Sequence, residues 1–283
     1  MLLSNASLPL PLNQEGKEVN YVGRFAPSPT GPLHFGSLIT AVASYCEARA
    51  QQGSWLVRIE DTDIPRIYPS SEAHILRAID AFEFDPDSNI IFQKDRLDIY
   101  EDVIQQLHAQ GLVYACQCTR KMLGSNHIYQ GTCRDLQLDL AHQAIRVKVS
   151  DQVIQFTDPI QGTHQSNLKF DLGDFVLKRR DGIINYQLAV VVDDHLQGIT
   201  HVVRGADLLD NTERQIWLGQ LLGYAPLQYM HLPLAMNDQR QKLSKQNMAE
   251  ALDLSQPSQL LQRALKALHQ LEVELDRPAR MLQ

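Results

Sequence analysis

Three features of the sequence predict an α/β protein in which helices cover a parallel sheet. A short strand around Val19–Val22 leads through a proline-rich loop into a helix whose apolar residues recur at helical spacing from Leu38 to Cys46. Strand and helix then alternate to about residue 115, and the alternation resumes after a β-rich middle. Strands that alternate with helices form parallel sheets, because each crossover helix has to pack on a face of the sheet.

The elements of the first half follow in order. The first helix ends near Gly53, and Trp55–Ile59 is rich in strand-forming residues. A helix is expected after Pro69-Ser70, with one face apolar. Another is expected over about residues 96–110, where Gly111 is placed as a C-terminal cap.

The middle of the chain changes to strand patterns. Ile145–Val149 alternates between apolar and polar residues, and Asp181-Gly182 is a hairpin signal between two apolar runs. We therefore expect a β-rich insert over residues 116–185. The parallel sheet should resume through Val190–Val192 and Thr200–Arg204.

The end of the chain is predicted to be helical. A helix over about residues 211–222 should precede the last strand, and residues 246–283 should form a short helical segment. At the other end, the first eighteen residues lack the basic region and the long apolar core of a signal peptide, so we expect a poorly ordered tail.

Composition is typical of a globular protein, with 44% hydrophobic and 21% charged residues. No apolar run is long enough for a transmembrane helix, so no membrane partner is expected. Four cysteines are too few for a disulfide scaffold, which favours the cytoplasm. The net charge of −7 does not itself favour nucleic acid. Phosphate contacts need only local positive charge, for which Lys178–Arg180 and the group Arg240, Lys242 and Lys245 are candidates.

The segment from Arg24 to Gly36 is the most informative part of the sequence. A loop that joins a strand to a helix presents backbone N–H groups and the positive end of the helix dipole, where a phosphate can bind. His34 and Gly36 lie at the start of that helix, and glycine allows a nucleotide to approach the backbone closely. An ordinary stiffened connection would explain the prolines alone.

This segment, RFAPSPTGPLHFG, resembles the opening motif of class I glutamyl-tRNA synthetases. His34-Phe35-Gly36 corresponds to the HxG element, although Ser37 stands where many class I enzymes carry a second His. Lys242–Lys245, with the sequence KLSK, resembles the mobile KMSKS loop and follows in the expected order. The resemblance implies a Rossmann-like class I catalytic domain in which His34, Gly36, Lys242 and Lys245 serve catalysis. ATP would be bound by His34, Gly36 and Lys245.

Residues at the ends of the predicted strands supply the expected amino-acid pocket. A glutamate needs cations for its carboxylates and an anion for its ammonium, and Arg suits carboxylates because its guanidinium can donate two parallel hydrogen bonds. Taken singly, Glu60 and Arg204 would pass for ordinary ion-pair residues. The resemblance implies that glutamate is contacted by Arg24, Phe25, Ala26, Pro27, Ser28, Glu60, Tyr186 and Arg204.

The cysteines Cys116, Cys118 and Cys133 have the spacing of a metal site. The residues alone favour His127 as a fourth ligand, because imidazole binds zinc more commonly than a phenol does. The resemblance implies otherwise, because related zinc-binding enzymes share the spacing C-x-C…Y-x-x-x-C, which falls on Tyr129. Free thiols on a surface hairpin are the alternative. We expect one structural Zn²⁺ per chain, held by Cys116, Cys118, Tyr129 and Cys133.

The resemblance implies an enzyme that activates L-glutamate with ATP and Mg²⁺ to form glutamyl-adenylate. The expected layout is a tail (1–18), the first half of the catalytic domain (19–115), the zinc-containing insert (116–185), the second catalytic half (186–245) and the helical end (246–283). We expect no anticodon-binding domain after Lys245. Truncated relatives of this layout activate glutamate without tRNA and attach it to queuosine in the anticodon loop of tRNA(Asp).

Three other functions remain open. A truncated synthetase could charge the 3′ end of a tRNA, a synthetase relative could bind RNA without catalysis, and a ligase could transfer glutamate from its adenylate to a small-molecule amine. Intact His34, Gly36, Lys245, Arg24 and Glu60 weigh against the second, since a binding module needs no ATP site. A monomer is expected.

Overall fold

The computed structural model describes residues 20–123, 128–129, 131–234, 251–270 and 274–282. The helices in this part are α1 (Phe35–Ala50), α2 (Ser71–Ala81), α3 (Leu97–Ala109), α4 (Arg120–Leu123), α5 (Tyr186–Leu196), α6 (Thr212–Leu221), α7 (Pro257–Ala267) and α8 (Pro278–Met281). The strands are β1 (Val22–Phe25), β2 (Ser54–Ile59), β3 (Ile91–Phe92), β4 (Val113–Cys116), β5 (Ala144–Val147), β6 (Val153–Asp158), β7 (Gly162–Asn167), β8 (Phe175–Lys178), β9 (His201–Gly205) and β10 (Gln228–Leu232).

The predicted parallel sheet is confirmed. β2 pairs in parallel with β1 on one side and with β3 on the other, and β9 pairs in parallel with β10. Thr200 joins the two groups of strands, because its backbone N–H donates to the Val22 carbonyl at 2.9 Å and its hydroxyl accepts from the Val22 N–H at 2.9 Å. The spatial order is therefore β3-β2-β1-β9-β10. From β1 the chain adds strands on one side up to β3, and from β9 it adds β10 on the other side. Between β1 and β9 lies the point where the order of strands reverses, which is where ligands bind in folds of this kind.

Most of the predicted helices are confirmed. Helices α1, α2, α3 and α6 lie where the apolar spacing placed them, and Gly111 follows α3 with a φ of 70°. The predicted C-terminal helix corresponds to α7, which packs Leu261, Ala264 and Leu265 into the core.

The prediction that Val190–Val192 belongs to the resumed sheet is wrong. These residues lie inside α5, which begins at Tyr186 and is capped by the side chain of Asn185. All residues from Gln187 to Asp194 are buried, so this part of the helix has no solvent-exposed face. A run of three β-branched residues without amphipathic spacing is typical of a buried strand, and here tertiary packing overrides that preference.

The middle of the chain forms two antiparallel units. β5 pairs with β4 and with β8. β6 and β7 form a separate hairpin through Gly162, which has a φ of 84°. Asp181-Gly182 turns the chain after β8, so that Lys178 and Ile184 form an antiparallel bridge. No helix among the described residues is long and apolar enough to cross a membrane.

Two large hydrophobic clusters form the core, one on the parallel sheet and one on the antiparallel strands β4, β5 and β8. The first packs α1, α2 and α7 around Trp55, Val57 and Ile59 of β2. The second packs α3, α5 and α6 against β4, β5 and β8, with Leu188 and Leu177 fully buried. The parallel sheet is itself buried, as parallel sheets generally are, since all but one residue in each of β1, β2, β9 and β10 is buried.

The chain reversal between α1 and β2 needs glycine at position 53. A Cβ at Gly53 would lie 2.3 Å from the carbonyl oxygen of Tyr21, which belongs to the backbone just before β1 and cannot move aside. We expect Gly53→Ala to lower the free energy of unfolding by at least about 2 kcal/mol, measured by urea denaturation. Gly219→Ala is the control: nothing lies within 4 Å of its added methyl, and it should be neutral or stabilising by up to about 1 kcal/mol. Equal effects of the two substitutions would contradict the packing argument.

Candidate active site

A cavity of about 560 Å³ opens where β1 and β9 end, at the reversal point of the sheet. Every described residue predicted to bind glutamate or ATP lines it: Arg24, Phe25, Ala26, Pro27, Ser28, His34, Gly36, Glu60, Tyr186 and Arg204. Lys242 and Lys245 lie outside the described residues. The cavity also has lining residues that the sequence analysis missed, among them Arg66, Gly205, Asp207 and Leu232–Leu234. Most of these residues follow the ends of β9 and β10. The rule that ligands bind beyond the carboxyl ends of parallel strands could therefore have identified them.

The loop between β1 and α1 forms one wall of the cavity. The N–H of Glu60 donates to the carbonyl of Pro27 at 3.0 Å, and the N–H of Tyr68 donates to the carbonyl of Pro29 at 3.0 Å. His34 caps α1, since its Nδ1 accepts from the N–H of Ser37 at 3.2 Å. A neutral His34 therefore carries its proton on Nε2, and the start of α1 borders the cavity.

A buried group of charges supports this wall. Arg58 is fully buried and donates to Asp194 at 2.8 Å, to Gln197 at 2.7 Å and to Glu60 at 3.3 Å. Arg24 donates its Nε–H to the same Asp194 oxygen, at 3.2 Å. Asp194 thus links the end of β1 to β2 from its position in α5. Charges removed from water need such partners, because an unpaired buried ion costs several kcal/mol.

The pKa values of the two carboxylates in this group, Glu60 and Asp194, are shifted in opposite directions. Burial raises the pKa of Glu60, although Arg58 and Arg24 partly offset that rise. Burial also opposes the charge of Asp194, but Arg24 and Arg58 outweigh it and hold the pKa of Asp194 below its usual range. Asp194 is therefore a firm counter-ion for both arginines. Glu60, which lines the cavity, is the carboxylate available to a ligand cation.

Arg204 is held by acceptors on several sides. Its Nε–H donates to His231 at 2.9 Å. One terminal nitrogen donates to Gln215 at 2.7 Å and to Tyr186 at 3.3 Å. The other donates to Thr212 at 2.9 Å and to the carbonyl of Leu208 at 3.4 Å. Five N–H groups thus face five acceptors, so a carboxylate at Arg204 has to replace one of the two longest bonds.

Arg24 has more donor capacity to offer a ligand. Apart from the bond of its Nε to Asp194, the described residues give its guanidinium no hydrogen-bond acceptor, and its side chain borders the cavity. Tyr186 adds a neutral donor, because burial raises the pKa of its phenol and its oxygen already accepts from Arg204. The cavity can therefore bind an anion through Arg24 and Tyr186 and a cation through Glu60.

Asp193, which precedes Asp194 in α5, lies in a structural environment. It is fully buried and accepts from Gln93 at 2.9 Å, from Arg96 at 2.8 Å and from the hydroxyl of Tyr100 at 2.6 Å. It does not line the cavity. Its bonds fasten α5 to α3 and to the turn before it.

The basic run at Lys178–Arg180 is largely neutralised. Lys178 forms an ion pair with Glu101. Arg179 pairs with Asp63 at 3.2 Å and with Asp181 at 2.5 Å, and Arg180 donates to a backbone carbonyl. Such a run has little charge left for phosphates. The second candidate group, Arg240, Lys242 and Lys245, lies outside the described residues.

The three predicted metal-binding cysteines converge. The sulfur atoms of Cys116, Cys118 and Cys133 lie within 4.8 Å of one another. The hydroxyl oxygen of Tyr129 lies 3.3 Å from the sulfur of Cys116 and 3.5 Å from that of Cys118. Three thiols and a phenol therefore surround one point, a donor set that a thiophilic divalent metal could use. His127, the rival fourth ligand, lies outside the described residues.

Comparison with known proteins agrees with this site. Residues 20–260 match the family model of the catalytic domain of class I tRNA synthetases for glutamate and glutamine. A glutamyl-Q tRNA(Asp) synthetase from Acinetobacter baylyi is 76% identical over 262 residues, which cover 93% of this chain and 90% of that protein. One from Neisseria meningitidis is 50% identical over 274 residues, which cover 93% of each chain.

Solved structures show the same likeness in three dimensions. The structure of a glutamate tRNA ligase from Elizabethkingia meningosepticum, in complex with its amino acid, superposes with a TM-score of 0.79 at 25% identity. The match covers 93% of this chain but only 64% of that protein. A glutamate-tRNA synthetase from Elizabethkingia anophelis gives a TM-score of 0.78 and is covered to 65%.

The buried counter-ion Asp194 should carry a large share of the stability of the site. We expect Asp194→Asn to lower the free energy of unfolding by about 3 kcal/mol, because Arg24 and Arg58 lose their shared negative charge. The carboxylate stabilises the fold above its unfolded-state pKa of about 4, and that contribution disappears as pH falls through the lowered folded-state pKa. The pH dependence of urea denaturation near and below pH 4 should therefore be weaker in the variant.

Asp151→Asn is the matched control for this prediction. Asp151 is exposed, and its ion pair with Lys169 spans 3.9 Å. The substitution should change the free energy of unfolding by less than about 0.5 kcal/mol. An Asp194→Asn variant as stable as this control would contradict the role of Asp194.

Proposed function

Because the chain belongs to the class I tRNA synthetase family for glutamate and glutamine, we propose that it activates L-glutamate with ATP and transfers it to queuosine in the anticodon loop of tRNA(Asp). The observation that carries the proposal is the 76% identity, over 93% of this chain, to a glutamyl-Q tRNA(Asp) synthetase. The cavity supports the proposal, because it is lined by cationic, anionic and neutral hydrogen-bonding groups and has room for a small zwitterion and a nucleotide.

In the first step, a carboxylate oxygen of glutamate attacks the α-phosphorus of ATP and pyrophosphate leaves. Arg24 and Tyr186 would bind a carboxylate of glutamate, Arg204 the other, and Glu60 the ammonium group. Phe25, Ala26, Pro27 and Ser28 would form the wall against which glutamate lies. The protein's task is positioning and neutralisation of charge, as in other phosphoryl-transfer reactions.

ATP would occupy the remainder of the cavity, beside the start of α1. His34 would donate to the phosphates from Nε2, the tautomer that its bond to Ser37 favours. Gly36 would allow close approach of the nucleotide, and Lys242 and Lys245 would stabilise the leaving pyrophosphate. Mg²⁺ would accompany ATP and neutralise its phosphates.

In the second step, a hydroxyl of queuosine attacks the acyl carbon of glutamyl-adenylate and AMP leaves. The proposed arrangement is a catalytic domain built from residues 19–115 and 186–245, with residues 246–283 as a short helical segment. Residues 116–185 would form an insert that contacts the RNA. The reaction would take place in the cytoplasm, where its substrates tRNA and ATP are found. The protein would act as a monomer, because one chain contains all the proposed groups.

We propose that the cysteine cluster holds one structural Zn²⁺ through Cys116, Cys118, Tyr129 and Cys133. The adjacency of the Tyr129 oxygen to two of the sulfurs supports this set. The ion would stabilise the insert, in the way that structural zinc contributes directly to folding.

The first test is glutamate-dependent ATP–pyrophosphate exchange without RNA. We expect exchange with the unaltered protein and a loss of at least about 100-fold with Lys245→Ala, because charge on the departing pyrophosphate loses its partner. Lys169→Ala, at an exposed lysine outside the cavity, should retain full exchange. Exchange that appears only when tRNA is added would favour a synthetase that charges a tRNA 3′ end. No exchange under either condition would favour a noncatalytic RNA-binding protein.

The second test compares RNA acceptors. Radioactive glutamate should be transferred to tRNA from cells that make queuosine and not to tRNA from cells that lack it. Removal of the 3′-terminal nucleotide separates the two sites of attachment, because the shortened RNA should still accept glutamate at queuosine and cannot accept it at a 3′ end. Transfer to both RNA preparations would contradict queuosine as the acceptor.

The third test measures the metal. We expect one zinc per chain in purified protein by atomic absorption, and loss of zinc from Cys133→Ser because a neutral hydroxyl is a poor substitute for a thiolate. Cys46→Ser is the control, since Cys46 lies on α1 outside the cluster, and it should retain zinc. A zinc-free protein, or equal zinc in both variants, would contradict the assignment.

A further inference from the structure

A row of buried polar side chains extends from the cavity into the protein behind Arg204. The Nε–H of Arg204 donates to Nε2 of His231 at 2.9 Å, and Nδ1 of His231 lies 2.8 Å from a carboxylate oxygen of Asp158. Both side chains are buried, since Asp158 is 1% exposed and His231 is 0% exposed. Neither lines the cavity, so neither can touch a bound substrate.

Only one protonation state satisfies this row. The same Asp158 oxygen also accepts the backbone N–H of His231 at 2.8 Å, so the carboxylate is an acceptor for both groups. Nδ1 of His231 must then carry the proton, and Nε2 must accept from Arg204. The hydroxyl of Thr212, 3.2 Å from Nε2, lies on the same side.

Asp158 reaches this position because it ends β6, at the turn of the hairpin formed by β6 and β7. Its second oxygen accepts the N–H groups of Ile160 and Gln161, each at 2.8 Å, and so fixes the turn. The side chain of Gln161 donates to the carbonyl of His231 at 2.9 Å. The carboxylate of Asp158 and the side-chain amide of Gln161 therefore both fasten the hairpin to β10.

We infer that Asp158 and His231 are positioning residues, which hold Arg204 in the orientation that binds glutamate. The inference rests on the proposed function, since it takes glutamate as the ligand of the cavity. Arg204 already faces five acceptors, and His231 supplies the acceptor for its Nε–H. Without that bond the guanidinium is held only through its terminal nitrogens, so it can tilt, and these nitrogens lose their alignment with Tyr186 and with a bound carboxylate. The β6–β7 hairpin thereby contributes to glutamate binding without touching glutamate.

Acid should disrupt the same arrangement. Protonation of His231 would turn Nε2 into a donor that faces another donor. The titratable groups around the imidazole are Asp158 on β6, His164 on β7, Arg204 on β9 and Tyr229 on β10. Burial lowers the pKa of His231, and the bond to Asp158 offsets part of that effect. Glutamate binding supported by His231 is therefore complete above about pH 6.5 and declines as pH falls through the lowered pKa.

Two substitutions at His231 separate its two hydrogen bonds. His231→Asn retains a donor near the position of Nδ1 for Asp158 but has no acceptor for Arg204. His231→Gln can place an oxygen near the position of Nε2 and so retains the acceptor. In ATP–pyrophosphate exchange we expect the KM for glutamate to rise at least tenfold in His231→Asn, or about 1.4 kcal/mol. In His231→Gln it should rise less than about threefold, and the KM for ATP should change little in either.

His201→Asn is the matched control. His201 is equally buried on the neighbouring strand, where its ring stacks on Tyr21 at 4.1 Å. It should lose stability in urea denaturation without a selective rise in the KM for glutamate. A parallel rise in all three variants, or an unchanged KM in His231→Asn, would overturn the inference. So would a rise in the KM for ATP equal to that for glutamate.

A spectroscopic test is independent of catalysis. The ¹⁵N chemical shifts of the His231 ring at pH 7.5 should show a proton on Nδ1 and none on Nε2. A proton on Nε2 would overturn the positioning role even if the protein activates glutamate. Conversely, a protein with the expected tautomer but without glutamate-dependent exchange would contradict the proposed function and leave the Asp158–His231–Arg204 arrangement intact.

Discussion

The shared ion pairs of Asp194 are the interaction on which the candidate site depends. This carboxylate lies in α5, a helix with almost no exposed face, and it accepts from Arg24 at the end of β1 and from Arg58 on β2. Both arginines are almost completely buried. A charge in that position would be costly alone, and it becomes tolerable only because opposite charges arrive from separate elements. The same bonds that neutralise the charges therefore hold the end of the sheet against the helix.

This requirement also distributes the roles of the charged residues at the cavity. Arg58 donates to Asp194 and Glu60 from beneath the cavity and does not line it. Arg24 uses one N–H for Asp194 and lines the cavity. A motif that contains several arginines and carboxylates thus divides into residues that support the site and residues that can bind a ligand. Sequence position cannot make that division, because Arg58 and Glu60 belong to the same short motif.

The two arginines that border the cavity differ in how they are held. Arg204 is surrounded by acceptors from α6, β10 and the start of α5, so its guanidinium is fixed before any ligand binds. Arg24 has one strong partner and more donor capacity. A site that combines a fixed cation with a more available one can bind two carboxylates of one molecule without leaving a buried charge unpaired when the ligand departs. Preorganisation of this kind reduces what binding has to spend on ordering side chains.

The sequence by itself determined the local features: the strand–loop–helix segment at residues 24–36, the helices with a clear apolar face, and the strand ends that carry Arg24, Glu60 and Arg204. These depend on spacing and on turn residues within one segment, which is why α1, α2, α3 and α6 could be predicted. The cysteine pattern likewise predicted the convergence of Cys116, Cys118 and Cys133. Tertiary structure alone decided that Val190–Val192 is helical, since a helical stretch buried on every side shows no alternation of apolar and polar residues in its sequence. It alone also brought Asp158 to His231, because two residues 73 positions apart are joined only when a hairpin packs on a distant strand.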